Sequence, residues 1–273
     1  MESFDEMLDS FIRLGLAEDV GEGDHTSMAC IRSTRVSKAK LLIKDDGIIS
    51  GVDVAKKIFK EVAAAADFEK LISDGSVVKP GDVAFYVTCP TRALLMAERL
   101  MLNTMQRMSG IATVASLYLQ EVEGLPVKIL DTRKTTPGMR FLEKQAVVHG
   151  GCHNYRAGLY DWIMIKDNHV EACGDIALAI DRVHEYLQKT QKDLSITIEV
   201  RNLVELQKVL DHGGVTRIMM DNFEIPILKE AVAMVGKRFE TEASGGIDLH
   251  NVRAYAETGV DYVSSGALTH SAG

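Results

Sequence analysis

DTRKTTPGMRFLEKQAVVHGGCHNYRAGLYDWIMIKDNH, residues Asp131–His169, sets the reading of the whole chain. An apolar run (Val127, Ile129, Leu130) leads into it, and a second (Trp162, Ile163, Met164, Ile165) closes it. Each run ends in polar residues, Asp131-Thr132-Arg133-Lys134 after the first and Lys166-Asp167-Asn168-His169 after the second. Between them lie Pro137, a helical stretch from Met139 to His149 and the Gly150-Gly151 stop. The order is strand, charged loop, helix, charged loop, strand, charged loop. Cations at the ends of buried strands suggest a pocket for an anion.

Downstream the same rhythm repeats. Strands are expected at 127–131, 162–166, 195–200, 216–221, 239–243 and 261–264, with helices at 138–149, 175–191, 202–212, 225–237 and 249–258. Repeated βα units imply a parallel sheet with right-handed crossovers. Six strands are countable, with a seventh conceivable near the domain junction. Open sheet and closed barrel share this period; the steady rhythm, without an isolated glycine-rich first turn, favours an incomplete or irregular α/β barrel.

Upstream the pattern differs. Phe4, Met7, Leu8, Phe11 and Leu14 recur at helical spacing, and Gly21–His25 is a turn-rich loop. Strands are expected within Val36–Ile49, at Val77–Val78 and over Val83–Val87, and an amphipathic helix over Val54–Ala66. A long helical pattern from Thr91 to Met108 is interrupted at Gly110, and a second helix is expected over Ala112–Glu121. Strands and helices without strict alternation point to a small layered α/β domain over residues 1–110, followed by the barrel domain over 111–273 that carries the site.

The composition, 46% hydrophobic and 26% charged, is that of a soluble globular protein. A net charge of −8 gives no nucleic-acid footprint, so any anion must be caught by a local cluster against the global field. Cys30, Cys89, Cys152 and Cys173 are far apart and make no zinc spacing; they fit a reducing cytoplasm. There is no basic-then-apolar N-terminus and no membrane-length apolar run, so neither export nor a membrane is expected.

In barrel enzymes the active site sits at the carboxyl ends of the strands. Those ends here read Asp131-Thr132-Arg133-Lys134, Lys166-Asp167, Glu199, Asp221-Asn222, Ser244-Gly245-Gly246 and Ser264-Ser265-Gly266. Any one of them alone reads as a solvated loop; all six together read as a shared mouth. The glycine ends of the last two units suit a phosphate, since glycine lets backbone N–H groups approach the oxygens. Glu199 and Asp221 would then hold ribose hydroxyls or Mg²⁺. Arg133, Lys134, Arg156 and Lys166 exceed what one phosphate requires and fit a substrate with carboxylates plus a phosphorylated partner. Lys166 admits a second role, a Schiff-base amine, against which the neighbouring Asp167 argues.

The motifs DTRKTTPGMRFLEKQAVVHGG (131–151), Arg156-Ala157-Gly158, IKDNH (165–169), Glu199-Val200, MDNF (220–223), EASGGI (242–247) and GVDYVSSGALTHS (259–271), with AERLMLNTMQRMSGIAT (97–113) upstream, resemble quinolinate phosphoribosyltransferase, the carboxylating nicotinate-nucleotide pyrophosphorylase of NAD biosynthesis. The resemblance implies an N-terminal α/β sandwich, an incomplete α/β barrel, and a dimer or an oligomer of dimers with a shared site. It implies a pentosyl transfer: quinolinate and phosphoribosyl pyrophosphate give nicotinate mononucleotide, pyrophosphate and CO₂, with Mg²⁺. By motif position, Arg99 would reach quinolinate in the neighbouring subunit. Thr132, Arg133, Tyr155, Arg156 and Lys166 would hold the dicarboxylate, with Lys134 between the two substrates. Glu199 and Asp221 would face the ribose and the metal. Ser244, Gly245, Gly246, Ser265, Gly266 and Ala267 would take the 5′-phosphate, with His270 close by.

One departure stands out: the family usually reads Asn-His-Arg where this chain has Asn154-Tyr155-Arg156. Tyr155 can donate a hydrogen bond to a carboxylate but supplies no positive charge at neutral pH. His153 would reach the same side if the segment is extended. An acceptor with a single carboxylate would need fewer cations than Arg99, Arg133, Arg156 and Lys166. A binding protein without activity would show damage at Glu199, Asp221 or the glycine loops, and the sequence shows none.

Overall fold

The computed structural model describes residues Ser3–Ala272, which pack as two units. The first is Met1–Ser116 with Thr135–Gly151 and Thr269–Gly273; the second is Leu117–Lys134 with Cys152–Leu268. Packing therefore divides the chain less simply than a cut at residue 110. The first helix of the expected barrel series and the last residues both belong to the first unit.

In the first unit, α1 (Phe4–Val20) starts at a capping box, with Ser3 and Glu6 satisfying each other's backbone N–H groups. A short α2 (His25–Cys30), capped by Asp24, follows the loop expected over Gly21–His25. Strands β1 (Val36–Leu42), β2 (Gly47–Ile48), β3 (Asp67–Lys70), β4 (Val77–Val78) and β5 (Val83–Pro90) surround the amphipathic α3 (Val52–Val62). They form an antiparallel sheet in the order β1-β5-β3 and a β2–β4 pair. Phe59 from α3 meets Phe68 and Phe85 from the sheet at centroid separations of 6.2 and 6.3 Å. β3 escaped the sequence reading because its Asp67, Glu69 and Lys70 are exposed and leave one apolar residue, Phe68.

The expected break at Gly110 is absent: α4 runs unbroken over Thr91–Glu121, 31 residues. A glycine inside a helix costs only about 1 kcal/mol against alanine, which a helix packed along its length absorbs. Within the first unit, Arg107 of α4 donates to Glu143 of α5 (Arg140–His149) at 2.9 Å and to the carbonyls of Thr269 and Ala272. Glu143 is fully buried, and its second oxygen accepts from the Thr136 N–H at 3.2 Å.

The second unit is the barrel. Six strands, β6 (Lys128–Leu130), β7 (Ile163–Ile165), β8 (Ile196–Val200), β9 (Arg217–Asp221), β10 (Glu240–Ser244) and β11 (Tyr262–Ser264), are all parallel, in the order β6-β11-β10-β9-β8-β7. The first strand thus pairs with the last, as barrel closure requires, while β6 and β7 do not pair. His153 makes a single parallel bridge to β6, so the chain begins to fill that gap and stops. The connecting helices are α6 (Asp167–Cys173), α7 (Ile176–Thr190), α8 (Leu203–His212), α9 (Ile225–Val235), α10 (Val252–Ala256) and α11 (Ala267–His270). Side-chain caps from Asp175 and Asn202 start α7 and α8. α6 was not expected, since IKDNH carries too few apolar residues to show a helical period. Among the described residues no helix is long and apolar enough to cross a membrane.

Two predictions follow from the packing. Glu143→Ala removes the carboxylate partner of Arg107 and leaves its Nε–H and the Thr136 N–H without an acceptor, and urea unfolding will show a loss of about 3–5 kcal/mol. Cys30 is exposed and Cys173 half-buried, whereas Cys89 and Cys152 are buried, and burial pushes the Cys152 thiol up to about 12. In the native protein a thiol reagent at pH 8 will therefore modify Cys30 first and Cys173 second, with Cys89 and Cys152 reacting only on unfolding.

Candidate active site

Strand registry levels the ends of the barrel strands. Ser244 pairs with Asp221 on β9, and Ser264 pairs with Leu130 on β6. At the other side Ile165 pairs with Ile198, placing Lys166 level with Glu199. Loops 131–134, 221–222, 244–246 and 264–266 therefore leave the sheet together. Alternate residues of a strand share a face. Thr197 and Glu199, Arg217 and Asp221, Glu240, Glu242 and Ser244, and Tyr262 and Ser264 thus line one face, and Ile196, Ile198, Val200, Ile218 and Met220 line the other.

At the mouth, Lys166 Nζ donates to Glu199 Oε2 at 2.8 Å, with Glu199 itself 8% exposed. An ammonium held on a carboxylate in this way is a cation site, which argues against the Schiff-base alternative. The backbone N–H of Lys166 is fixed by His169 Nδ1 at 2.9 Å, which explains the close spacing of the KDNH letters. Arg133 and Arg156, both half-buried, stand near each other: burial and then the Arg133 charge pull the Arg156 guanidinium below its ordinary value. Burial and a like charge nearby, opposed by Asp161, give this end of the barrel a local positive character suited to an anion. Thr132 Oγ1 accepts from the Lys134 N–H at 3.1 Å and shapes the turn that carries both basic residues; Lys134 itself is exposed.

The glycine loop after β10 is conformationally demanding. Gly245 and Gly246 have φ of +97° and +60°, and a Cβ on Gly245 would lie 2.3 Å from Asn222 Oδ1. Asn222 is itself left-handed at φ 56°; its N–H donates to Ser244 O at 2.8 Å and its side-chain amide to Asp221 Oδ2 at 2.7 Å. Asp221, Asn222 and the glycine pair thus form one unit. Ser244, Gly245, Gly266 and Ala267 are half-buried and Gly246 is exposed at this end of the barrel.

Two of the expected contact residues have hydrogen-bond partners within the protein. Ser265 is 2% exposed; its hydroxyl donates to Ile247 O at 2.6 Å and lies 3.1 Å from the Tyr118 hydroxyl, while its N–H goes to Leu130 O. It ties one glycine loop to the other. Tyr155 turns inward: its hydroxyl meets Thr197 Oγ1 at 2.6 Å, one inward position below Glu199. His153 is extended along β6, as its bridge to Leu130 requires, and is exposed. Arg99 is exposed on α4 and His270 ends α11 with its Nδ1 on Ser271 Oγ, both in the first unit.

Three polar residues at the lower level of the barrel escaped the sequence reading. Arg217 donates to Glu240 Oε2 (Nη2 at 2.9 Å) and Glu242 Oε2 (Nη1 at 3.1 Å), with its guanidinium carbon 3.7 Å from the Tyr262 ring centroid. Burial raises the Glu242 carboxyl, opposed by Arg217. The signal was present in the alternation ETEAS, read as an ordinary strand.

Comparison with known proteins decides the family. The model of the quinolinate phosphoribosyl transferase C-terminal domain matches residues 111–273, and that of the N-terminal domain residues 24–109. The chain belongs to the quinolinate phosphoribosyltransferase family. Quinolinate phosphoribosyltransferase [decarboxylating] 1 of Nicotiana glauca is 42% identical over 279 residues, covering 97% of this chain and 79% of the relative. A probable nicotinate-nucleotide pyrophosphorylase [carboxylating] of Bacillus subtilis is 39% identical, covering 93% of this chain and 86% of its own. The crystal structure of NadC from Streptococcus pyogenes superposes with a TM-score of 0.93 at 33% identity, covering 100% of this chain and 95% of that one. The two domain models meet at residues 109 and 111, whereas packing places residues 135–151 in the first unit.

Ser265→Ala separates the two roles open to that residue in a phosphoribosyltransferase of this kind. It leaves Ile247 O without its donor, so we expect a stability loss of about 1–3 kcal/mol by urea unfolding. Inorganic phosphate binding, followed by calorimetry, should stay within a factor of about two.

Proposed function

We propose that this enzyme transfers the phosphoribosyl group of phosphoribosyl pyrophosphate to the ring nitrogen of quinolinate and releases the adjacent carboxylate as CO₂, giving nicotinate mononucleotide and pyrophosphate for de novo NAD synthesis. The observation that carries the reading is the pair of half-buried neighbouring guanidinium groups, Arg133 and Arg156, in the barrel whose strand-end Lys166 is held on Glu199. The two carboxylates of quinolinate match the positive charge of this arrangement.

The roles follow from charge and position. Arg133, Arg156 and Lys166, with Thr132, bind the dicarboxylate, and Lys134 lies toward the pyrophosphate. Gly245, Gly246, Gly266 and Ala267, with Ser244, offer backbone and hydroxyl groups to the 5′-phosphate, and His270 follows them in the chain. As the bond from the ribose anomeric carbon to pyrophosphate breaks, positive charge grows on the sugar, and the Glu199 and Asp221 carboxylates stabilise it electrostatically. The pyridine nitrogen attacks with its own lone pair, so alignment matters and no general base is needed. The carbon–carboxylate bond then breaks, its electron pair remains on the ring carbon beside the cationic nitrogen, and that carbon takes up a proton from water.

Among the described residues no cluster of three or more acidic, His or Cys side chains could cage a metal alone. Glu199 and Asp221 nevertheless suit Mg²⁺, which takes one or two carboxylates and completes its shell with phosphate oxygens and water. Bound with the pyrophosphate, Mg²⁺ would offset the charge of the leaving group. We further place the enzyme as a homodimer in which the exposed Arg99 serves the partner's site, and in the cytoplasm, whose reducing conditions suit four cysteines outside any disulfide.

The test is direct. Purified protein with Mg²⁺, phosphoribosyl pyrophosphate and carboxyl-labelled quinolinate should release CO₂ and nicotinate mononucleotide one for one. Turnover of nicotinate with none of quinolinate would overturn the assignment. Arg156→Ala should lower kcat/KM for quinolinate by roughly 10- to 150-fold, the worth of one charged hydrogen bond.

A further inference from the structure

Tyr155 stands immediately before Arg156, where the chain has very little freedom. Its N–H donates to Asp131 Oδ1 at 2.8 Å, and Asp131 is fully buried at the end of β6, directly before Thr132 and Arg133. Its hydroxyl is 2.6 Å from Thr197 Oγ1, which also receives the Trp162 Nε1–H at 2.9 Å. Tyr155 and Trp162 pack edge to face at 5.6 Å, and the Arg217 guanidinium lies 5.0 Å from the Tyr155 ring centroid. On the other side of Arg156, the N–H groups of Ala157 and Gly158 donate to the two Asp161 carboxylate oxygens at 2.7 and 2.9 Å. Arg156 is therefore the one residue between two anchors.

That rigidity has a purpose in electrostatics. Arg156 is held near Arg133 although burial and repulsion both work against it. A flexible arginine would swing away toward water, because both side chains are long and the repulsion is relieved by separation. Anchors on both sides of Arg156 restrict where its side chain can start. The anchor that reaches farthest is the Tyr155 hydroxyl, because it connects the Arg156 segment to β8, the strand that carries Glu199 two residues after Thr197.

We infer that Tyr155 is a positioning residue for the dicarboxylate half of the site: through its hydroxyl bond to Thr197 it sets Arg156 opposite Arg133 and level with the Glu199 strand, without itself touching the substrate. The inference rests on the quinolinate reaction proposed above. It replaces the direct hydrogen bond to a carboxylate expected from the sequence, since the hydroxyl is engaged inside the barrel.

The bond has two ends, and the test cuts each separately. Tyr155→Phe removes the hydroxyl and keeps the ring; Thr197→Val removes the partner and keeps the shape; Thr197→Ser restores an oxygen. Steady-state kinetics of wild type, the three single variants and the Tyr155→Phe/Thr197→Val double variant give the answer. We expect Tyr155→Phe and Thr197→Val each to raise KM for quinolinate by about five- to tenfold, the size of one neutral hydrogen bond. KM for phosphoribosyl pyrophosphate should stay within about twofold, the double variant should be no worse than either single one, and Thr197→Ser should return close to wild type. A rise in Tyr155→Phe alone, with Thr197→Val like wild type, separates the hydroxyl's effect from Thr197, leaving the substrate or Glu242 as its partner, and overturns the inference. A lower Tm with both KM values unchanged makes the bond a core contact only, and overturns it equally. Wild-type protein that releases no CO₂ from quinolinate refutes the functional reading itself, and with it this role.

Discussion

Pairing of β11 with β6 is the constraint on which the second unit depends. It brings the first βα unit next to the last, so six strands and their loops share one rim instead of spreading along an open sheet. Without that pairing β6 would have no strand beside it, since it does not pair with β7. With it, the basic loop after β6 adjoins the glycine loop after β11, and the strand ends carrying Glu199 and Asp221 continue the same row. The Ser265 hydroxyl reinforces this closure by tying its own loop to Ile247, beyond the glycine pair.

Beneath the rim the inward face is polar to a degree unusual for a small barrel, which is more often filled with branched aliphatic side chains. Thr197, Arg217, Glu240 and Glu242 take those places, and Tyr155, Trp162 and Tyr262 pack against the guanidinium. Such a set is costly unless each charge has a partner, and Arg217 meets that condition by donating to two acids while lying on an aromatic face. Directional bonds of this kind restrict rotamers more tightly than apolar packing of the same volume. The consequence is felt two residues up each strand, at Glu199, Asp221 and Ser244, where precision matters for chemistry.

Much of this was legible in the chain. Strand ends fall within about two residues of the expected positions because apolar runs bounded by polar loops leave little choice. The cations, the glycine loops and the two carboxylates were identifiable because each breaks an apolar strand at the same relative point. Two kinds of feature were hidden. Gly110 reads as a stop, yet helix packing overrides a cost of about 1 kcal/mol. Tyr155 and Ser265 lie within site motifs and carry hydroxyls, so their letters suggest ligand contact; only the three-dimensional path shows that their hydroxyls also meet Thr197 Oγ1 and Ile247 O. A polar side chain next to a site has two directions to face, and the sequence records neither.

The charge balance resolves an apparent contradiction. A protein of net charge −8 is expected to repel a dicarboxylate and a pyrophosphate. Beyond about 8–10 Å at physiological salt, however, exposed acids are largely screened, so most of the 39 acidic side chains do not act at the mouth. Arg133 and Arg156 are half-buried and close to each other, where screening is weak, and their field outlasts that of the exposed surface. Lys166, by contrast, is balanced by Glu199 and adds little net potential. The two arginines therefore give this end of the barrel a local positive character that the net charge of the chain does not reveal.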